Sequence, residues 1–219
     1  MKFFRYDGTA FRFLTNVCNL IFLNLLWIFT SLPLVTIGAS TVALYTVTLK
    51  MARGEEGYIV RGFLAAFKRN FKQATVLWLI IALAGGWFFL FFRLMRAQDS
   101  DAGRALQLVE AALVVLCVLA ALYAAPILAR YDNTVKNTVR NAFVLSLRYL
   151  PYSVLMLGLA AAPVLLTAFV EGIFDLMMSL WISLGISSIA LGISHLINRV
   201  FRRVEGSEAH DQESNPARV

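Results

Sequence analysis

Two polar side chains lie inside apolar runs of this chain, where they could act on a solute within a membrane. Glu110 lies in the run 105–129, and an acid inside a helical bundle is a candidate for binding a cation or carrying a proton. Asn24 lies in an earlier run, where an amide seeks hydrogen-bond partners on a neighbouring helix. Together they predict a polar path. The competing interpretation places Glu110 at the outer interface near Arg104 and gives Asn24 a packing role.

The sequence carries no signature of an enzyme, a metal site or a bound cofactor. It contains no GxxxxGK[ST] loop, GxSxG elbow, HExxH pair or CxxC motif. Cys18 and Cys117 lie in apolar runs, which is typical of small packing residues. His195 has no histidine or acid three or four residues further on that would complete a metal pair. We therefore expect a protein that is not an enzyme and needs no cofactor or metal.

Two further segments combine basic residues with apolar residues at helical spacing. They cover about 59–72 and 139–150, and this pattern is typical of amphipathic helices at a membrane surface. In the first segment the apolar face is Val60, Phe63, Leu64, Phe67 and Phe71. The residues predicted to form an interaction surface are Arg61, Phe67, Lys68, Arg69, Lys72, Arg140 and Arg148.

Membrane-spanning helices are the elements expected to position these residues. The chain has 219 residues, of which 59% are hydrophobic and 15% charged, well below the roughly 25% charged residues of soluble domains. We predict an all-α integral membrane protein, a six-span helical bundle with two cytoplasmic amphipathic interfacial helices in one domain, 1–203, followed by a disordered cytoplasmic tail, 204–219. The spans are predicted at about 13–32, 36–50, 74–92, 105–129, 152–170 and 176–198. Because the second is short, five spans plus a re-entrant segment is the alternative.

The basic residues predict the orientation of these spans. Of the 20 Lys and Arg, only Arg93, Arg96 and Arg104 lie in segments that alternating spans place on the outer side. Because basic residues concentrate on the cytoplasmic side, both termini are predicted to be cytoplasmic. The net charge of +7 is explained by these flanking residues, so we expect a lipid bilayer as the environment and no nucleic acid as a partner.

The two basic segments also suggest an internal repeat. A shift of 79 residues aligns VRGFLAAFKRNFKQATVL with VRNAFVLSLRYLPYSVLM, and it pairs Arg61 with Arg140 and Arg69 with Arg148. Each copy is a basic segment followed by an outward and a returning span. Chance similarity is the alternative, since the identities are few.

The stretch 24–80 resembles the bacterial YesL family, a membrane family of unknown function. The resemblance rests on SLPLVTIGAS followed by the basic, Phe-rich segment. Members are commonly encoded beside carbohydrate ABC transporters, so the resemblance implies a role in sugar uptake or its regulation at the bacterial cell membrane. We expect a non-catalytic accessory component whose basic helices contact a transporter subunit. The alternative is a small transporter or channel for a polar solute.

Overall fold

The computed structural model describes residues 9–55, 57–96, 101–169 and 174–214, and this part of the chain is helical with no strand. The termini of the sequence, including the predicted tail from 215 onward, lie outside the described residues. The α-helices are α1 Thr9–Ser31, α2 Ile37–Ala52, α3 Ile59–Arg96, α4 Asp101–Arg130, α5 Val135–Arg148, α6 Leu150–Phe169, α7 Phe174–Leu180 and α8 Ile186–Ser214. A 3-10 turn, Leu34–Thr36, precedes α2, and a π-helical segment, Trp181–Gly185, joins α7 to α8.

The predicted all-α membrane bundle is confirmed. Six segments are long and apolar enough to cross a membrane, namely Leu14–Ser31, Leu34–Ala52, Ile59–Met95, Gly103–Arg130, Leu150–Phe169 and Phe174–Gly206. Most basic residues of α2, α3, α4, α5 and α8 gather at one end of the bundle, which we call the basic end, whereas Arg93, Arg96 and Arg104 lie toward the other end.

Helix α2 forms the centre of the bundle and packs against α1, α3, α4 and α8. Its side chains from Ala39 to Leu49 are almost all buried. Gly38 permits the crossing with α3, because an added Cβ would lie 2.5 Å from the Trp78 Cβ and closer still to the Ala74 carbonyl oxygen. A close backbone approach of this kind requires glycine.

The α1–α2 turn lies beside the middle of α3. Trp78 Nε1 donates to the Leu34 carbonyl oxygen at 3.0 Å, and Thr36 Oγ1 donates to the Thr30 and Pro33 carbonyls at 2.5 and 2.7 Å. From Trp78, α3 continues to Arg96, about 27 Å further at 1.5 Å per residue. The α1–α2 hairpin therefore lies toward the basic end. The SLPLVTIGAS motif folds this hairpin against α3.

One predicted boundary is wrong: the interfacial helix 59–72 and the span 74–92 are a single helix, α3. The junction Phe71–Ala74 contains neither proline nor glycine, so nothing in the backbone ends the helix there. The second basic segment does form a separate helix, α5. It ends at Tyr149 (φ −117°, ψ 43°), because a helix continued through Pro151 would bring the proline ring against the Leu147 carbonyl.

The boundary predicted at residue 204 is also wrong, because α8 continues to Ser214. The start of the predicted tail is held by a specific contact. Glu205 Oε1 accepts hydrogen bonds from Arg130 Nη2 and from the Tyr131 hydroxyl, both at 2.7 Å. The ion pair and the packed Val204 side chain hold this last part of the helix against the basic end.

Candidate functional site

The basic end collects the predicted interaction residues on two neighbouring helices. On α3, Arg61, Lys68, Arg69 and Lys72 are all exposed. Three aromatic residues lie between them: the Phe63 and Phe67 rings are stacked with centroids 6.5 Å apart, and the Phe67 and Phe71 rings meet edge to face with centroids 5.5 Å apart. Phe63 is fully buried and Phe67 is half-buried, so Phe67 anchors α3 to the bundle and is not part of the exposed surface.

The residues predicted to form the apolar face of this segment do not all face the core. Phe63 packs inside, whereas Val60, Leu64 and Phe71 remain exposed on the same side as the cations. The outer surface of α3 therefore alternates apolar and basic groups, which is the composition of a surface that contacts headgroups or another protein.

Helix α5 contributes the second part of the predicted surface. Arg140 and Arg148 are exposed, and the Arg148 guanidinium lies 5.8 Å from the centroid of the Tyr149 ring. The helix begins at a cap in which Asn137 N donates to Thr134 Oγ1 at 3.4 Å. Thr138, Ala142 and Ser146 form its buried face. The cations therefore point away from the bundle, as the spacing predicts.

A groove of 740 Å³ lies between α3 and the connection that precedes α5. Lys68, Arg69 and Lys72 line it from α3, and Asp132 and Asn133 line it from the connection before α5. Arg61 lies apart from this groove, in a second one of 850 Å³ between the start of α3 and Asn19 and Phe22 of α1. The predicted cations of α3 thus line two adjacent grooves, and Arg140 and Arg148 lie on α5 outside both.

The cluster around Arg130 is one that sequence reasoning missed. The Arg130 guanidinium donates to Asn198 and Glu205 at 3.2 and 2.7 Å, and it lies 5.2 Å from the centroid of the Phe201 ring. Partial burial and the bond to Glu205 raise the pKa of Tyr131 to about 12. Because 75 residues separate Arg130 from Glu205, no local spacing signals this contact.

Asn24 occupies a structural position in the bundle. Its Nδ2 donates to the Trp181 and Ile182 carbonyls at 2.9 and 2.7 Å, and its Oδ1 accepts from the amides of Ile186 and Ser187 at 3.1 Å each. The π-helical segment offsets the usual backbone pairing, and this one amide satisfies four of the backbone groups that result. These hydrogen bonds join Asn24 of α1 to the π-helical segment and the start of α8.

Glu110 lies on α4 beside an apolar groove of 700 Å³ between α3 and α4. Gly85, Phe88 and Phe89 face it across the groove. Glu110 is only 5% exposed, and its two carboxylate oxygens have no hydrogen-bond partner among the described residues. Asn24 and Glu110 are not brought together, because α1 and α4 do not touch within the described ranges.

Comparison with known proteins finds one matching family model and two similar proteins, none with a described activity. A family model described as a protein of unknown function, DUF624, matches residues 20–92, which include the SLPLVTIGAS turn and the first basic segment. The uncharacterized protein YteU of Bacillus subtilis is 28% identical over 173 residues, covering 76% of each chain. The uncharacterized protein YesL of the same organism is 27% identical over 139 residues, or 62% of this chain and 65% of YesL. No solved structure matches the chain.

The chain is thus a helical membrane protein with six segments able to span a bilayer, and it is similar to YteU and YesL, which are themselves uncharacterized. The predicted resemblance to the YesL family is thereby confirmed.

Proposed function

We propose that this protein is a non-catalytic accessory or regulatory component linked to carbohydrate uptake, and that its basic end faces the cytoplasm and binds a transporter subunit. The observation that carries the proposal is the exposure of basic residues from both segments at one end of the bundle, with Lys68 and Lys72 lining a groove and Arg140 on the neighbouring helix α5. The family resemblance supports the link to carbohydrate ABC transporters, and the basic surface suits an acidic partner.

The orientation of the bundle follows from the same charges. Basic residues flanking spans favour the cytoplasmic side, and the opposite end offers few cations to compete with them. Within the bundle, the hydrogen-bonded Asn24 and the buried α2 leave the α1–α2–α8 interface closed, which fits an accessory protein better than a channel.

Site-specific photo-crosslinking in native membranes tests the proposal. Crosslinkers placed at Lys68, Lys72 and Arg140 should capture a carbohydrate transporter subunit, and a crosslinker at Arg93, exposed toward the other end, is the matched control. The variant Lys68→Glu/Lys72→Glu should lose the capture, whereas Arg93→Glu should retain it. The proposal fails if no position captures a transporter subunit and if deletion of the protein leaves sugar uptake unchanged.

The buried Glu110 favours a second candidate function, a small transporter for a polar solute. A carboxylate with unpaired oxygens next to a groove is the arrangement expected where a cation or proton is bound within a membrane. Purified protein in sealed liposomes tests this: ion or solute flux that Glu110→Gln abolishes would support a carrier, and flux absent from the wild type would exclude one.

A further inference from the structure

A cavity of 360 Å³ lies at the basic end, where α2 and α4 end and α3 begins. Two helical faces form its walls, each with residues at helical spacing: Thr46, Leu49, Lys50 and Arg53 from α2, and Gly62, Ala65, Ala66 and Arg69 from α3. Ala129 and Arg130 of α4 close one side. Its volume falls within the range of about 300 to 1,000 Å³ that is usual for small-molecule sites.

The floor of the cavity is made of small residues. These residues lie on one face of α3 at positions i, i+3 and i+4: Gly62, Ala65 and Ala66. The nearest atom to a Cβ added at Gly62 would be Val47 Cγ2, at 3.8 Å. Larger side chains at these positions would fill the space between the cations. The sequence therefore keeps an open volume where α2 and α3 face each other.

The rim carries four cations, Lys50, Arg53, Arg69 and Arg130. Two of them are paired, Arg53 with Glu55 and Arg130 with Glu205. Neither Lys50 nor Arg69 has a carboxylate within ion-pair distance in the part of the chain that the structure describes. Two of the four rim cations are therefore without an ion-pair partner among the described residues.

Several of these cations act together on the Glu55 carboxylate. The hydrogen bond from Arg53 lowers the pKa of Glu55, and the charges of Lys50 and Arg130 lower it further. A carboxylate from the 53–55 connection thus already experiences three of the four cations. An external anion with more charge than a carboxylate would experience them more strongly.

We infer that this cavity is a binding site for a phosphate group, held by Lys50, Arg53, Arg69 and Arg130. Arginine donors match phosphate oxygens in a bidentate geometry, and lysine adds a point charge. Basic cavities between membrane helices bind lipid headgroups in this way, and a soluble phosphate compound offers the same group. This inference does not depend on the proposed function, since the docking surface and the cavity share only Arg69.

The repeat provides a matched control for the test. Lys50→Gln/Arg69→Gln removes the two unpaired cations, and Arg140→Gln/Arg148→Gln removes the same number of charges from exposed positions on α5, including the residue aligned with Arg69. The full chain is placed in phosphatidylcholine nanodiscs. In one arm, inorganic phosphate is titrated into the nanodisc sample in sulfate-free buffer. In the other arm, part of the phosphatidylcholine is replaced by phosphatidylglycerol. The readout is the shift in thermal unfolding midpoint together with hydrogen-exchange protection of 46–53 and 62–69.

The inference predicts that wild type is stabilised in at least one arm and that the affinity falls about fivefold for each removed cation in Lys50→Gln/Arg69→Gln. The control variant should bind as wild type does. Site-dependent binding of inorganic phosphate identifies a soluble ligand, and site-dependent binding of phosphatidylglycerol alone identifies a lipid headgroup. Absence of binding in both arms, or an equal loss in both variants, overturns the inference. Folding of each variant is checked by monodispersity and helix content before titration.

Discussion

The two basic segments, 59–72 and 135–148, share a pattern of charge and differ in how they join the membrane spans that follow them. In the first, α3 runs without interruption from the surface into the bundle. In the second, the chain breaks at Tyr149, and a separate helix α5 precedes α6. The comparison shows that two segments with a similar amphipathic pattern can join their spans differently, and that a proline in the connection favours a break.

The break in the second segment is held by hydrogen bonds from a side chain. The Ser153 hydroxyl lies 2.8 and 3.1 Å from the carbonyl oxygens of Ser146 and Tyr149, and 3.0 Å from the hydroxyl of Tyr123 on α4. Backbone groups freed at the end of α5 are thereby satisfied without water. The first segment needs no such contact, because its backbone pairing is continuous.

The largest expected effect comes from introducing a proline into the first segment. Removing the proline from the second segment is the reciprocal change. The alignment pairs Pro151 with Lys72, and Lys72→Pro should cost about 3 kcal/mol or more, because it removes one helical hydrogen bond of α3 and brings the ring against the Lys68 carbonyl. Pro151→Ala should change the free energy of unfolding by less than about 1 kcal/mol, because Ser153 and the buried face of α5 still hold the break. Unfolding in mixed detergent–SDS micelles measures both.

Lys72→Ala is the control that separates loss of charge from loss of backbone pairing, and it should be nearly neutral. Equal stabilities of Lys72→Pro and Lys72→Ala would show that α3 is already interrupted near residue 72.

A second prediction concerns the π-helical segment, which is also held by one side chain. Asn24→Leu keeps the side-chain size and leaves two carbonyls and two amides of 181–187 without their partner. We expect a loss of about 2 kcal/mol in the free energy of unfolding, near the upper end for polar contacts between membrane helices. Asn16→Leu, at an exposed position of the same helix, is the matched control. An equal loss in both variants would show that the four hydrogen bonds of Asn24 do not stabilise the fold.

Ser153→Ala should have a smaller effect, about 1 kcal/mol, because it removes one hydroxyl that bonds to carbonyls whose other lone pairs remain. Tyr123→Phe should cost less than that, and the double variant should cost less than the sum because the two hydroxyls share one hydrogen bond. Additive losses would mean that the two residues act independently.

The smallest expected effect concerns the pH dependence of stability and Tyr131, in the connection that leads into α5. Burial and the bond to Glu205 raise the pKa of Tyr131 from 10.0 to about 12 in the folded protein. Its contribution to stability is therefore fully present below pH 10 and is lost as pH rises from 10 toward 12. Tyr131→Phe should show a weaker decrease in unfolding midpoint than wild type over that interval, and parallel pH curves would contradict the assignment.

The sequence predicts much of this fold because spans of apolar residues and flanking cations are local signals. The same local signals place Arg140 and Arg148 on the exposed face of α5 and give Asn24 its packing role. They do not reveal that α3 is continuous, since helices at a surface and in a membrane share the residues found at 71–74. They also miss the pairing of Arg130 with Glu205, which lie 75 residues apart, and the cavity around Lys50 and Arg69, which depends on how α2, α3 and α4 pack.

The central structural claim is that the segment bearing Lys68 and Lys72 and the segment that spans the membrane form one straight helix, α3. Spin labels at Arg61 and Leu83, both exposed on α3, in a variant lacking Cys18 and Cys117, test it by pulsed EPR in nanodiscs. A continuous helix places the two Cα atoms about 33 Å apart in one narrow distribution. Two helices of about 11 residues each that met at a right angle near residue 72 would give a distribution centred at about 23 Å, and this result would contradict the account.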